Sequence, residues 1–112
     1  MKGGEIPSEK VAHVAAALRA HAEKNYPGRC REVRVEARGR HLYVDVVTTD
    51  EEGDPPLHLC RLESLGPKAE FWGFWSYSYA RNRYERSMLM AGRPIGTAEE
   101  CFDCAAFTHL SV

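Results

Sequence analysis

The stretch that decides the fold is Glu32-Val33-Arg34-Val35-Glu36-Ala37-Arg38-Gly39-Arg40-His41-Leu42-Tyr43-Val44-Asp45-Val46-Val47. Val33, Val35 and Ala37 alternate with charged residues, and Leu42, Val44 and Val46 alternate again after Gly39-Arg40. A period of two is the signature of a strand with one apolar and one polar face. A two-residue turn at Gly39-Arg40 pairs Ala37 with Leu42, Val35 with Val44 and Val33 with Val46, so all six side chains share one face. The same register sets Arg34 opposite Asp45 on the other face, where opposite charges favour it. Glycine at the first central position suits a type II′ turn.

Helices flank this hairpin in the sequence. Upstream, Val11, Val14, Ala15, Leu18 and Ala22 recur at helical spacing. They predict a helix from Glu9 to Lys24, capped by Ser8 and stopped at Pro27-Gly28. His21 flanks the apolar stripe and reads as a half-buried neighbour rather than a ligand. Near the other end, Thr97 and Glu100 form a capping box before a helix from Ala98 to His109. Cys101, Phe102, Cys104, Ala105 and Thr108 are its expected inner side.

Between the hairpin and the last helix, Asp50-Glu51-Glu52-Gly53-Asp54-Pro55-Pro56 reads as a solvated acidic loop. Leu57 to Ser64 reads as a third strand, with Leu57, Leu59 and Leu62 breaking alternation as a bulge would. Gly66-Pro67-Lys68 turns the chain. Glu70 to Ser78 makes a fourth strand and Tyr84 to Met90 a fifth. The connections are too short for crossover helices, so neighbouring strands run antiparallel. The expected fold is α+β: an antiparallel sheet of four to five strands, in the order α-β-β-β-β-β-α, with both helices on one face. The 112 residues fit one domain over 1–112.

Fifteen Lys and Arg stand against sixteen Asp and Glu, a net charge of −1. That balance excludes a globally basic coat for nucleic acid or membrane and leaves such a role to a local patch. No apolar run reaches the roughly 20 residues of a membrane-spanning helix. The first seven residues lack the apolar core of a signal peptide, which points to the cytoplasm. Cys30, Cys60, Cys101 and Cys104 read as free, buried thiols in that compartment. Cys101-Phe102-Asp103-Cys104 has the spacing of a half zinc site, but Cys60, His58 or His109 would have to complete it. Cys101 also lies four residues past the helix cap, where the dipole that activates a redox thiol has weakened. No metal and no cofactor is therefore assigned, and no nucleophile motif or phosphate loop names an enzyme.

Chemistry concentrates in Phe71-Trp72-Gly73-Phe74-Trp75-Ser76-Tyr77-Ser78-Tyr79 and the arginines after it. On a strand, Phe71, Trp75, Tyr77 and Tyr79 point one way and Trp72 and Phe74 the other. Residues 79–93 hold Arg81, Arg83, Arg86 and Arg93 against Glu85 alone. A strand buried on both faces beside a solvated basic turn would explain the pattern without function. Yet two helices cannot cover both faces of such a sheet. The leading expectation is a binding or protein-interaction module without catalysis, with Trp72, Trp75, Tyr77, Tyr79, Arg81, Arg83 and Arg86 as its contact residues. A homodimer is one form of it. The alternative is a nucleic-acid-binding domain that stacks bases on Trp72 or Trp75 and meets phosphates with the arginines. A metal or redox protein centred on Cys101 and Cys104 comes third.

Leu59-Cys60-Arg61-Leu62, the aromatic strand, Tyr84-Glu85, Gly96-Thr97-Ala98-Glu99-Glu100 and Asp103-Cys104-Ala105-Ala106 together resemble a group of small uncharacterised bacterial proteins. The resemblance covers the C-terminal half. It implies a single-domain cytosolic bacterial protein and supplies no catalytic residues.

Overall fold

The computed structural model describes residues 5–48 and 55–110. Its elements are α1 (Ser8–Asn25), β1 (Cys30–Arg38), β2 (His41–Thr48), β3 (Leu57–Ser64), β4 (Trp72–Ser78), β5 (Arg83–Arg86), β6 (Ile95–Gly96) and α2 (Ala98–His109). The strands form one antiparallel sheet in the order β1-β2-β3-β4-β5, with β6 also pairing β4. The α+β architecture expected from the sequence is the one observed. The acidic loop of residues 50–54 lies outside the described residues.

The hairpin stands in the expected register: Val33 faces Val46, Val35 faces Val44 and Ala37 faces Leu42. Gly39 takes φ +58° while Arg40 does not enter the positive region, the pattern of a II′ turn. Val33, Leu42, Val44 and Val46 are buried, Val35 is half-buried, and Ala37 beside the turn stays exposed. Arg34 does face Asp45, but the two charges pair elsewhere. Arg34 Nε donates to Glu32 Oε2 on its own strand at 3.1 Å, and Asp45 Oδ1 meets His58 Nδ1 at 3.1 Å. A bulge explains the second pairing. Between Val44/Asp45 and Cys60/His58 the β3 strand carries one extra residue, Leu59, which turns inward and is fully buried.

Both helices lie on the apolar face. Val14, Leu18 and Ala22 of α1 and Cys101, Phe102, Ala105 and Ala106 of α2 join Val33, Val44, Val46, Leu59, Leu62 and Phe74 in one core. Asp103 ties the helices together, since its Oδ1 accepts from the Tyr26 hydroxyl and bonds His21 Nε2, each at 2.7 Å. The expected inner side of α2 needs one correction: Thr108 is exposed and Cys104 only half-buried, whereas Ala106 is buried. The capping box is present, with Glu100 N–H donating to Thr97 Oγ1 and Thr97 N–H to Glu100 Oε1. Ser8 does not cap α1. Pro7 holds the cap position, and its carbonyl accepts from Lys10 and Val11.

The outer strand also departs from expectation. β5 ends at Arg86, and the chain leaves the sheet until β6. Ser87 N–H still donates to Phe74 O, but Leu89 then drops into the core, held by a turn with Arg93 and Gly92. Leu89 is buried while Met88 and Met90 on either side are exposed, so the alternation of a strand persists although the pairing has ended. β6 was not visible in the sequence because two residues carry no period.

The positive φ at Gly39 makes the turn sensitive to side-chain shape. Gly39→Val should lower unfolding free energy by about 1–2 kcal/mol, because a β-branched side chain is strained at that positive φ. Equilibrium urea denaturation checks this, and equal stability of the valine variant would contradict the turn geometry.

Candidate functional site: the open sheet face

Because side chains alternate, the face opposite the helices collects what the core rejects. Its middle row runs Glu36, Tyr43, Arg61, Trp75, Arg86 across β1 to β5. The next row runs Arg34, Asp45, His58, and then the facing pair Tyr77 and Tyr84. No element of the described chain covers these residues. Tyr43, His58, Arg61, Trp75, Tyr77 and Tyr84 are nonetheless half-buried, because they bury one another.

The rings meet mostly edge-on. Tyr77 and Tyr84 stand 4.8 Å apart at 75°, Tyr43 and Tyr84 5.3 Å apart at 75°, and Tyr77 and Tyr79 4.7 Å apart at 69°. Such geometry sets the positive edge of one ring against the negative face of the next. His58 sits among them, 4.8 Å from Tyr77. Accepting from His58, Asp45 fixes the proton on Nδ1. The His58 backbone N–H donates to the Tyr79 hydroxyl at 2.7 Å. An Asp–His pair is the form of a general base. Among the described residues no hydroxyl or thiol bonds its other nitrogen, and the ring packs against the aromatic cluster.

Two further networks set the electrostatics. Glu63 Oε1 accepts from Trp75 Nε1 and Arg86 Nη2, each at 3.0 Å. The Trp75 hydrogen bond foremost, with Arg86 assisting, holds the Glu63 carboxyl below its usual range. Burial, and next the nearby charge of Asp45, push the Tyr84 phenol upward, so it stays protonated. Burial and then the Arg61 charge push the His41 imidazole downward.

The candidate residues divide between the two faces. Trp75, Tyr77 and Tyr79 are together on the open side, with Tyr79 just past the strand end and 45% exposed. Trp72 is not with them. It is 3% exposed beneath α1, where the Lys10 ammonium lies 4.9 Å from its ring centroid, so it belongs to the core and not to a contact surface. Arg86 donates to Glu63 on the open face. Arg83 and Glu85, which face Ser78 and Ser76 across the ladder, point to the helix side instead, and Arg81 and Arg83 both donate to Glu85 there, so those two arginines do not join the contact surface. Arg93 lies elsewhere, lining a concavity of about 390 Å³ with Tyr26, Leu89 and Phe107. Tyr43, Tyr84, His58 and Arg61 were missed by the sequence reading. They are spread over three strands, and only the registers bring them together.

The cysteines do not converge into a ligand set. Among the described residues no group of three His, Cys, Asp or Glu side chains is placed to hold a metal ion. Cys101 is buried and its thiol is pushed up to about 12 by that burial, and burial in the core likewise raises the Cys60 thiol. Compared with protein-family models, with curated proteins and with solved structures, the chain matches none.

Two outcomes follow from this geometry. The Glu63 carboxyl should titrate below an ordinary glutamate in side-chain NMR, and Trp75→Phe should move it upward. Its depressed value stabilises the fold above the unfolded-state pKa, so the advantage of the wild type over Glu63→Gln should vanish as pH falls through the folded value. Native protein mixed with a thiol reagent should modify Cys30 and Cys104, both half-buried, far faster than Cys60 and Cys101. Rapid labelling of all four would contradict the burial described.

Proposed function

We propose that the protein is a non-catalytic protein-interaction module whose contact surface is the open sheet face around Trp75, Tyr77 and Tyr84, with Tyr79 and Arg86 at its rim. One observation carries this reading: a contiguous, half-buried aromatic cluster on a face that no element of the described chain covers. Interfaces favour such residues, because aromatics and arginine combine large contact area with polar tips. Self-association through the same face is one form of the proposal. The charge arrangement favours protein over nucleic acid. Arg81, Arg83 and Arg86 already hold carboxylate partners, and Glu36, Asp45 and Glu63 share the surface, so a phosphate backbone would meet few free cations. The four free thiols fit a reducing compartment, which supports a cytoplasmic protein, and the resemblance of the C-terminal half supports a bacterial one.

Peptides selected from a random display library on the wild type should lose at least tenfold in affinity on Trp75→Ala, with folding checked by thermal melt. If the partner is a second copy, sedimentation at micromolar concentration should show a dimer that Trp75→Ala dissociates. No face-dependent peptide and no dimer, together with salt-sensitive binding of an oligothymidylate, would replace this reading with nucleic-acid recognition.

A further inference from the structure

We propose that Arg61 is the specificity anchor of this face and receives an aspartate or glutamate side chain of the protein partner. The inference rests on the reading of the open face as an interaction surface, and it names the chemistry of what docks there. Arg61 sits on the central strand β3, in the middle of the row that Tyr43 and Trp75 flank. Its guanidinium carbon lies 4.3 Å from the Trp75 ring centroid, 5.3 Å from that of Tyr84 and 5.8 Å from that of Tyr43. Three rings from three strands therefore surround one planar cation and hold its orientation.

What Arg61 lacks is a countercharge. On the same face Arg34 pairs with Glu32, Arg38 with Glu36 and Arg86 with Glu63. Arg61 makes no ion pair within 4.0 Å among the described residues. The carboxylates nearest in register are already engaged: Asp45 with His58, and Glu63 with Trp75 and Arg86. Its one hydrogen bond there runs from Nη1 to the Tyr43 hydroxyl at 3.3 Å. Nε is buried without a partner, and Nη2 has neither a partner nor full burial. A half-buried cation supported only by rings and one hydroxyl keeps Nη2 free to donate to whatever covers the face.

The surroundings select the anion. A carboxylate matches the fork in geometry and brings a single negative charge, which one guanidinium balances. A phosphate dianion would need a second free cation, but the other arginines of the face are neutralised, and Glu36, Asp45 and Glu63 would repel it. The rings around Arg61 accept the methylene stem of an acidic side chain. As the partner covers the site and removes water, the charge-assisted bonds strengthen, as at the buried centre of an interface.

The direct test uses a minimal probe, N-acetyl-glutamate N-methylamide, against its neutral isostere N-acetyl-glutamine N-methylamide. NMR would follow the Arg61 Nε–H and Trp75 Nε1–H signals of the wild type. The glutamate probe should shift both saturably, and the glutamine probe at least fivefold less. Arg61→Gln should abolish the Trp75 response, and Arg61→Lys should keep part of it. Equal response to the two probes, no response, or a stronger one to inorganic phosphate would each overturn the proposal. A second arm uses a peptide selected on the open face. Changing its acidic residue to the amide should cost about tenfold on the wild type and under twofold on Arg61→Gln. Peptide binding that depends on Trp75 but not on Arg61 would overturn the anchor and leave the interaction surface standing. Loss of all binding to the face would remove that surface as well.

Discussion

Parity governs this protein. The two-residue turn at Gly39 and Arg40 sets the phase of β1 against β2, and each later strand inherits that phase through its register. A slip of one residue would send every aliphatic side chain to the wrong face. With the phase set, Val33, Val44, Val46, Leu62 and Phe74 meet the helices, and Tyr43, Arg61, Trp75 and Tyr84 must face away. The phase shifts at the start of β1, between Cys30 and Glu32, and again at the bulge of Leu59. That bulge buries an extra leucine and returns His58 to the open side, within reach of Asp45 and Tyr77.

The open face is apolar in substance and balanced in charge. Its aromatic rings shield one another, which lowers the cost of leaving them without a helix above. Its arginines lie over rings or beside carboxylates, so the surface carries no strong field. A surface of this kind discriminates by shape and by local pairing rather than by long-range attraction. The edge strand β1 bears Arg34, Glu36 and Arg38 along its exposed side, a charge pattern that discourages pairing with foreign strands.

The helices do a different task. Asp103 joins Tyr26 and His21 across the α1–α2 contact, and Lys10 reaches the carbonyls of Gly66, Pro67 and Ala69 while lying over Trp72. These bonds clamp both helices to one side of the sheet. The paired cysteines of α2 belong to this structural layer. Burial raises both thiols, with Cys101 fully buried and Cys104 half-buried.

The hairpin, the two helices, the capping box and the opposite orientation of Trp72 and Trp75 were legible in the amino-acid order, because each depends on a local period or on a short-range hydrogen bond. Which tryptophan faces the open side was not, since alternation says only that the two differ. The helices decided it by covering Trp72. The early end of β5 was equally hidden, because it depends on Leu89 finding space in a core built by distant residues. The same holds for the cluster of Tyr43, His58, Arg61 and Tyr84. Sequence alone determined the periods that make each strand two-faced. Only the tertiary structure decided which residues of β2, β3, β4 and β5 become neighbours, because cross-strand contact depends on register and on a bulge, and neither is written in any one segment.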